Sequence, residues 1–272
     1  MPLADMHVHT SDSPDAEISA AELAGLGMEE GLVAIGFVAH MDMNPADHCF
    51  NSLDPAGYRK SLAKASRTAG DRLTVSKGLE VGEPHRFGKQ AGELVDYSDY
   101  DFIVGALHYL DNDGLVLGGD VFKEGDHLAV VEEYYRETLA MVETAEMDVL
   151  AHLGLFRRGL AMAGLDTSLD ETELWPGTVR RILETLIARE MALELNTSGL
   201  RRAERMTYPT PRVLELYGEL GGKLVTLGSD THRRSHLFHG LTSGAALLRE
   251  KGFSSCNLYR NRQPEPLPLT AG

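Results

Sequence analysis

DFIVGALH, residues 101–108, is an acidic residue followed by a run of apolar side chains and then a histidine. A short continuous apolar run bounded by polar residues reads as a strand buried on both faces, the habit of parallel sheets. MDVLAH, residues 147–152, repeats the pattern, as do Leu3 to His9 and Ala34 to His40. Leu73 to Val81, Met191 to Asn196 and Lys223 to Asp230 complete seven candidate strands, and one more falls around Asn257 to Tyr259. Segments with helical spacing lie between them. Ser19 to Glu30 places Glu22 three residues after a capping Ser19, and His127 to Thr144 carries Leu128, Val131, Tyr135 and Leu139 along one face. Alternation of strand and helix predicts an α/β fold with βα units around a parallel sheet. Seven or eight such units close most simply into a barrel, although a doubly wound open sheet has the same element order.

The chain has 272 residues and neither low-complexity tracts nor fixed-period repeats, so the expectation is a single domain over 1–272. Its end, about residues 261–272, carries Pro264, Pro266 and Pro268 and reads as an extended surface tail. With 43% hydrophobic and 25% charged residues, the composition is that of a soluble globular protein. No apolar run approaches the roughly 18 residues of a spanning helix and no signal-like segment opens the chain, so a cytoplasmic location is expected. Cys49 and Cys256 are too few for a disulfide framework and read as free thiols. A formal charge of −15 argues against nucleic acid or a membrane as partner. A small anionic substrate remains compatible if bound metal ions reverse the field locally.

Six of the eleven histidines stand at or just past the ends of proposed strands: His7, His9, His40, His108, His152 and His232. Glu80 and Asp230 stand there too. In parallel barrels these ends form the active-site face, so residues distant in sequence converge. His7 and His9, two apart in a strand, share a face and can bind one ion together. Imidazole and carboxylate ligands without thiolate suit Zn, Mn or Fe and favour a catalytic over a structural site. A single buried histidine is ordinarily a hydrogen-bonded core residue, but six at strand ends would leave many polar atoms seeking partners. His48, His85, His127, His236 and His239 fall in loops or helix starts and read as solvated or minor, with His85 set apart by its closeness to Glu80.

DMHVHT at the start, GLEVG around Glu80, VGALHYL around His108, DVLAHLGL around His152, LELNTSGLRR around Asn196 and LGSDTH around Asp230 resemble, in order, the motifs of the PHP (polymerase and histidinol phosphatase) family. The late motifs are similar to its histidinol-phosphatase branch. The resemblance implies a distorted (β/α)7 barrel with three divalent metal ions. By position, one ion would be held by His7, His9, Glu80 and Asp230, a second by Glu80, His108 and His152, and a third by Asp15, His40 and His232. Glu80, as bridge, with Asp230 and His232 would form the catalytic group. Two departures touch the third site: Asp15 stands where related chains place a histidine, and Ala39 where they place an aspartate.

The implied reaction is hydrolysis of L-histidinol phosphate, a step of histidine biosynthesis, by in-line attack of a metal-bound hydroxide, without a phosphoenzyme. Arginine is best shaped to grip phosphate, and two clusters lie just after strand ends, Arg157 with Arg158 and Arg201 with Arg202; Arg157 and Arg201 are the expected substrate-binding residues, and solvated loop arginines are the plain alternative. The rival readings are a phosphoesterase for nucleotides or another small ester, a metal-dependent amidohydrolase, and an inactive metal-binding regulatory module.

Overall fold

The apolar runs become the strands of one parallel barrel. The computed structural model describes residues 2–123 and 125–269; the last three residues of the expected tail, Thr270 to Gly272, lie outside them. The strands are β1 (Leu3–His9), β2 (Leu32–Val38), β3 (His40–Met41), β4 (Thr74–Gly82), β5 (Phe102–Ala106), β6 (Val149–Leu150), β7 (Ala192–Asn196), β8 (Val225–Gly228), β9 (Ser255–Arg260) and β10 (Gln263–Pro268). The sheet runs β1-β2-β4-β5-β6-β7-β8, with β3 paired to β4. A parallel bridge from Val8 to Thr231 brings its two ends together, with hydrogen bonds from His9 N to Thr231 O and from Asp230 N to His7 O at 2.9 Å each.

Helices cover the outside. Helix Ala20–Glu29 starts at Ser19, whose hydroxyl accepts from Glu22 N. Helix His127–Thr144 starts at Asp126 and buries Val131, Tyr134, Tyr135, Met141 and Val142, while Leu128, expected on the inner face, is exposed. The main apolar cluster lies between sheet and helices. A smaller one fills the barrel with Met6, Val38, Phe102, Val104, Val149 and Ala192. Phe102 needs the space left by Gly78, where any Cβ would collide with its ring.

Three expectations are corrected. The second strand is not continuous from Ala34 to His40 but breaks at Ala39, its first part pairing with β1 and β4 and the second, β3, with the later half of β4. Strands five and six end early, so His108 and His152 lie beyond them. The proline-containing tail is paired rather than free: β10 runs antiparallel to β9. This hairpin covers the N-terminal end of the barrel. Tyr259 packs against Phe102 at 6.1 Å and donates to Asp148 O, Asn257 Nδ2 donates to Val225 O, and Arg262 reaches Asp148. No helix among the described residues is long and apolar enough to cross a membrane.

Candidate metal centre and active site

Opposite the hairpin, the carboxylate of Glu80 lies at the middle of the strand ends. Its Oε2 is 3.1 Å from His9 Nε2 and 3.5 Å from both His7 Nε2 and His40 Nδ1. Its Oε1 is 2.9 Å from His152 Nε2 and 3.6 Å from His108 Nε2. Asp230 Oδ1 is 3.2 Å from His232 Nδ1 and 3.9 Å from His9 Nε2. Asp15, from the loop after β1, places Oδ2 3.0 Å from His232 Nε2 and 3.4 Å from His40 Nε2. All nine side chains singled out as metal ligands therefore meet in one place. Their atoms fall into groups within 4.8 Å of one another: His7, His9 and Asp230; His7, Glu80 and His152; His9, Asp15, His40 and His232.

Two of these residues have left-handed backbones, His152 at φ 23° and Asp230 at φ 56°. Such conformations cost on the order of 1–3 kcal/mol each and persist where surroundings enforce them. For His152 the enforcing group is Glu194, which accepts from His152 N at 2.7 Å. For Asp230 it is Arg201, whose guanidinium donates to Ser229 O at 2.6 Å and Asp230 O at 2.7 Å.

Several buried acids that support the ligands are absent from the sequence reading. Glu194 Oε1 lies 2.7 Å from His7 Nδ1. Asp5 accepts from His7 N and Ser229 N. Glu83, at φ 42°, accepts from His108 N and Tyr109 N. Residue 39 is alanine, yet His40 does not lack a carboxylate: Asp42 Oδ2 is 2.9 Å from its Nδ1. Asp5 and Glu194 interrupt apolar runs at even spacing from His7 and Asn196, a signal legible in the sequence. Asp42 has the same spacing from His40 but lies past the end of the apolar run, and Glu83, in a loop, offered no signal.

The electrostatics are those of a cation site. Burial raises the Glu80 carboxyl, but His7, His108 and His152 outweigh it and hold the group well below its usual range. Burial lowers His7, and Glu194 and Glu80 overcome it to hold the ring well above the ordinary imidazole value. His9 goes the other way, to about 3, through burial and the neighbouring His232 and His40. Nδ1–H of His7 donates to Glu194 and turns Nε2 toward His9 Nε2, 3.2 Å away, where a bound ion would take the place of the second proton. His9 Nδ1 and Asp15 Oδ1 are buried without hydrogen-bond partners. Converging lone pairs and partnerless buried acceptors fit hard or borderline divalent ions bound through N and O.

A cavity of about 530 Å³ opens over this cluster, lined by Asp15, His40, Glu80, His108, His152, Asp230 and His232 on its floor. Arg158, Arg202 and His236 line its wall. The arginines that line the cavity are Arg158 and Arg202, each one residue after an expected one. Arg157 is fully buried away from the cavity, held by Thr167 O, Leu169 O and the carboxylate of Glu171, because successive helical residues point about 100° apart. Arg201 is spent on the backbone around Asp230. Of the histidines read as solvated, His48 is exposed at the cavity rim, whereas His85 is buried against Glu137 at 2.8 Å. Both cysteines are free and buried.

The model of the PHP domain family matches residues 5–198, and the chain belongs to that family. It is 28% identical over 256 residues to a protein of Clostridium acetobutylicum named "Probable histidinol-phosphatase", covering 93% of this chain and 94% of the other. It is 23% identical to the histidinol-phosphatase of Lactococcus lactis, with 92% and 91% covered. The crystal structure of histidinol phosphate phosphatase from Lactococcus lactis, complexed with zinc, L-histidinol and phosphate, superimposes with a TM-score of 0.85 over 97% of this chain and 98% of that one. The likeness establishes the barrel fold.

Proposed function

We propose that this protein is a metal-dependent phosphomonoesterase that hydrolyses L-histidinol phosphate to L-histidinol and phosphate. The observation that carries the reading is the meeting of six imidazoles and three carboxylates at one barrel mouth, four of the imidazoles and all three carboxylates on the floor of a cavity whose wall holds two arginines. Relatives matched along more than nine-tenths of the chain are named for the same reaction.

Three ions, drawn from Zn, Mn and Fe, fit the side chains. His7, His9, Glu80 and Asp230 would hold the first; Glu80, His108 and His152 the second; Asp15, His40 and His232 the third. When bound, such ions supply positive charge to phosphoryl oxygens and lower the pKa of coordinated water. Glu80 would serve two sites, since its oxygens face different imidazoles. Asp230 and His232 complete the catalytic group, held side by side by the contact between Oδ1 and Nδ1.

Arg158 and Arg202 replace Arg157 and Arg201 as the phosphate grip. Burial and the nearness of Arg202 both lower the Arg158 guanidinium pKa, an arrangement that a dianion between them relieves. Leu117, Leu155 and Met162 offer an apolar wall for the imidazole ring, and Asp47 a carboxylate for the ammonium. Phosphate release measured across a substrate panel tests the reading. kcat/KM for histidinol phosphate should exceed that for nucleoside monophosphates by at least about tenfold. Comparable values would transfer the site to the general phosphoesterase reading, and absence of phosphate release from the metal-loaded protein would remove the enzymatic one.

A further inference from the structure

His40 and Asp42 stand two residues apart and face the same side of the chain. His40 pairs in register with Glu80 and Met41 with Val81, so the next step sets Asp42 beside Gly82. Glycine leaves a slot there. A Cβ on Gly82 would run into Asp42 Oδ1, so the carboxylate occupies the space that any other residue would fill. Asp42 is 2% exposed, and neither of its oxygens has a hydrogen bond of good geometry. Its Oδ2 lies 2.9 Å from His40 Nδ1, and its Oδ1 lies 4.0 Å from His108 Nδ1. The far nitrogen of His40, Nε2, faces Asp15 and through it His232.

A buried carboxylate without partners is costly unless a neighbour gives it a proton or a charge, and His40 Nδ1 is the nearest donor. Once Nδ1–H is committed to Asp42, Nε2 carries the lone pair. Carboxylates behind a ligating imidazole fix its tautomer and ring angle and raise its basicity.

We propose that Asp42 is the positioning residue of the Asp15, His40 and His232 site, fixing His40 with its Nε2 lone pair toward that ion and setting how tightly the ion is held. The proposal rests on the three-ion reading above. It makes Gly82 part of the same device, since the absence of a side chain there admits the carboxylate.

The test is stepwise zinc removal by a competing chelator from the zinc-loaded enzyme, with zinc counted per chain. In the wild-type protein three ions should be counted. Asp42→Ala should weaken one of them about 10- to 100-fold and leave two unchanged. Gly82→Ala, which displaces the carboxylate, should act on the same ion. Asp42→Asn, whose amide oxygen still accepts from Nδ1, should fall between. Raising free zinc should restore phosphate release by Asp42→Ala, a rescue that a structural defect would not show. Three ions leaving Asp42→Ala as they leave the wild type would overturn the positioning role alone. Loss of all three together would do so too, by showing a structural role. Fewer than three ions in the wild type would overturn the three-ion reading, and the inference with it. A sulfur-to-cobalt charge-transfer band in the cobalt-loaded enzyme would also overturn it. The ligand atoms of His40, Asp42 and Cys49 lie within 4.8 Å of one another, and such a band would make Cys49 a direct ligand.

Discussion

The two arginine pairs carry the sharpest division of labour at the scale of single residues. Arg202 lines the cavity, while Arg201 beside it is bound to the carbonyls of Ser229 and Asp230. In the proposed phosphate role, Arg202 would supply charged hydrogen bonds worth about 1.5–3 kcal/mol, so Arg202→Ala should lower kcat/KM about 10- to 100-fold with the metal count unchanged. Arg201→Ala should instead release the strained Asp230 and lower metal retention, which metal analysis of the same two variants would separate. Equal metal content in both would put Arg201 outside the site's support. Adjacent residues with opposite fates explain why sequence could name the pairs but not the members. Which side chain faces the cavity depends on local backbone that strand ends cannot fix: a phase of about 100° per residue in the helix of Arg157 and Arg158, and the end of a short turn at Arg201 with Arg202 extended beyond it. The convergence of the nine histidines and carboxylates was legible for the opposite reason. Topology carries a strand end to the barrel mouth whatever the local phase, and His7, His9, Glu80 and Asp230 needed only that. Asp42 was hidden because its position depends on the empty side of Gly82, forty residues later in another strand.

At the scale of elements, the barrel divides the chain's chemistry between its two ends. The histidine end is built from loops and strand tips with left-handed residues at His152 and Asp230. The opposite end is closed by the β9–β10 hairpin, whose Tyr259 is 2% exposed against Phe102. Truncating a buried aromatic ring costs about 3–5 kcal/mol, so Tyr259→Ala should lower the urea midpoint by that equivalent. Its metal count and KM should stay at wild-type values, because the apolar filling of the barrel lies between. Loss of metal in this variant would show that the two ends are mechanically joined. The prolines of β10 read as an extended end in the sequence, and they do keep it extended. Their pairing with β9 was not legible because Pro264, Pro266 and Pro268 cannot donate to a ladder and sit where an edge strand tolerates them. The break at Ala39 was hidden because the run from Ala34 to Ala39 is apolar throughout and no turn residue marks the place where pairing passes to His40 and Met41.

At the scale of the whole molecule, a chain of net charge −15 gathers Glu80, Asp15, Asp42, Glu83, Asp230, Glu194 and Asp5 around one cavity floor. Buried carboxylates are tolerated when paired, and the imidazoles pair some of them only by taking protons. His232, for instance, is lowered by burial but pushed up to about 9 by Asp15 and Asp230. A divalent ion neutralises two carboxylates at once and frees the imidazoles to stay neutral, so metal binding and folding draw on the same groups. An ion present at a hundredfold its dissociation constant adds about 2.7 kcal/mol to stability. For a chain of 272 residues that amounts to roughly 5 °C per ion. Exhaustive chelation should therefore lower Tm in steps matching the number of ions removed, and added zinc should restore each step. The hairpin end contributes none of this, so stripped protein should keep its far-ultraviolet circular dichroism at low temperature while melting earlier. An unchanged Tm after proven metal removal would mean that the acidic floor is stable on its own protons, and the cluster would lose its standing as a metal centre.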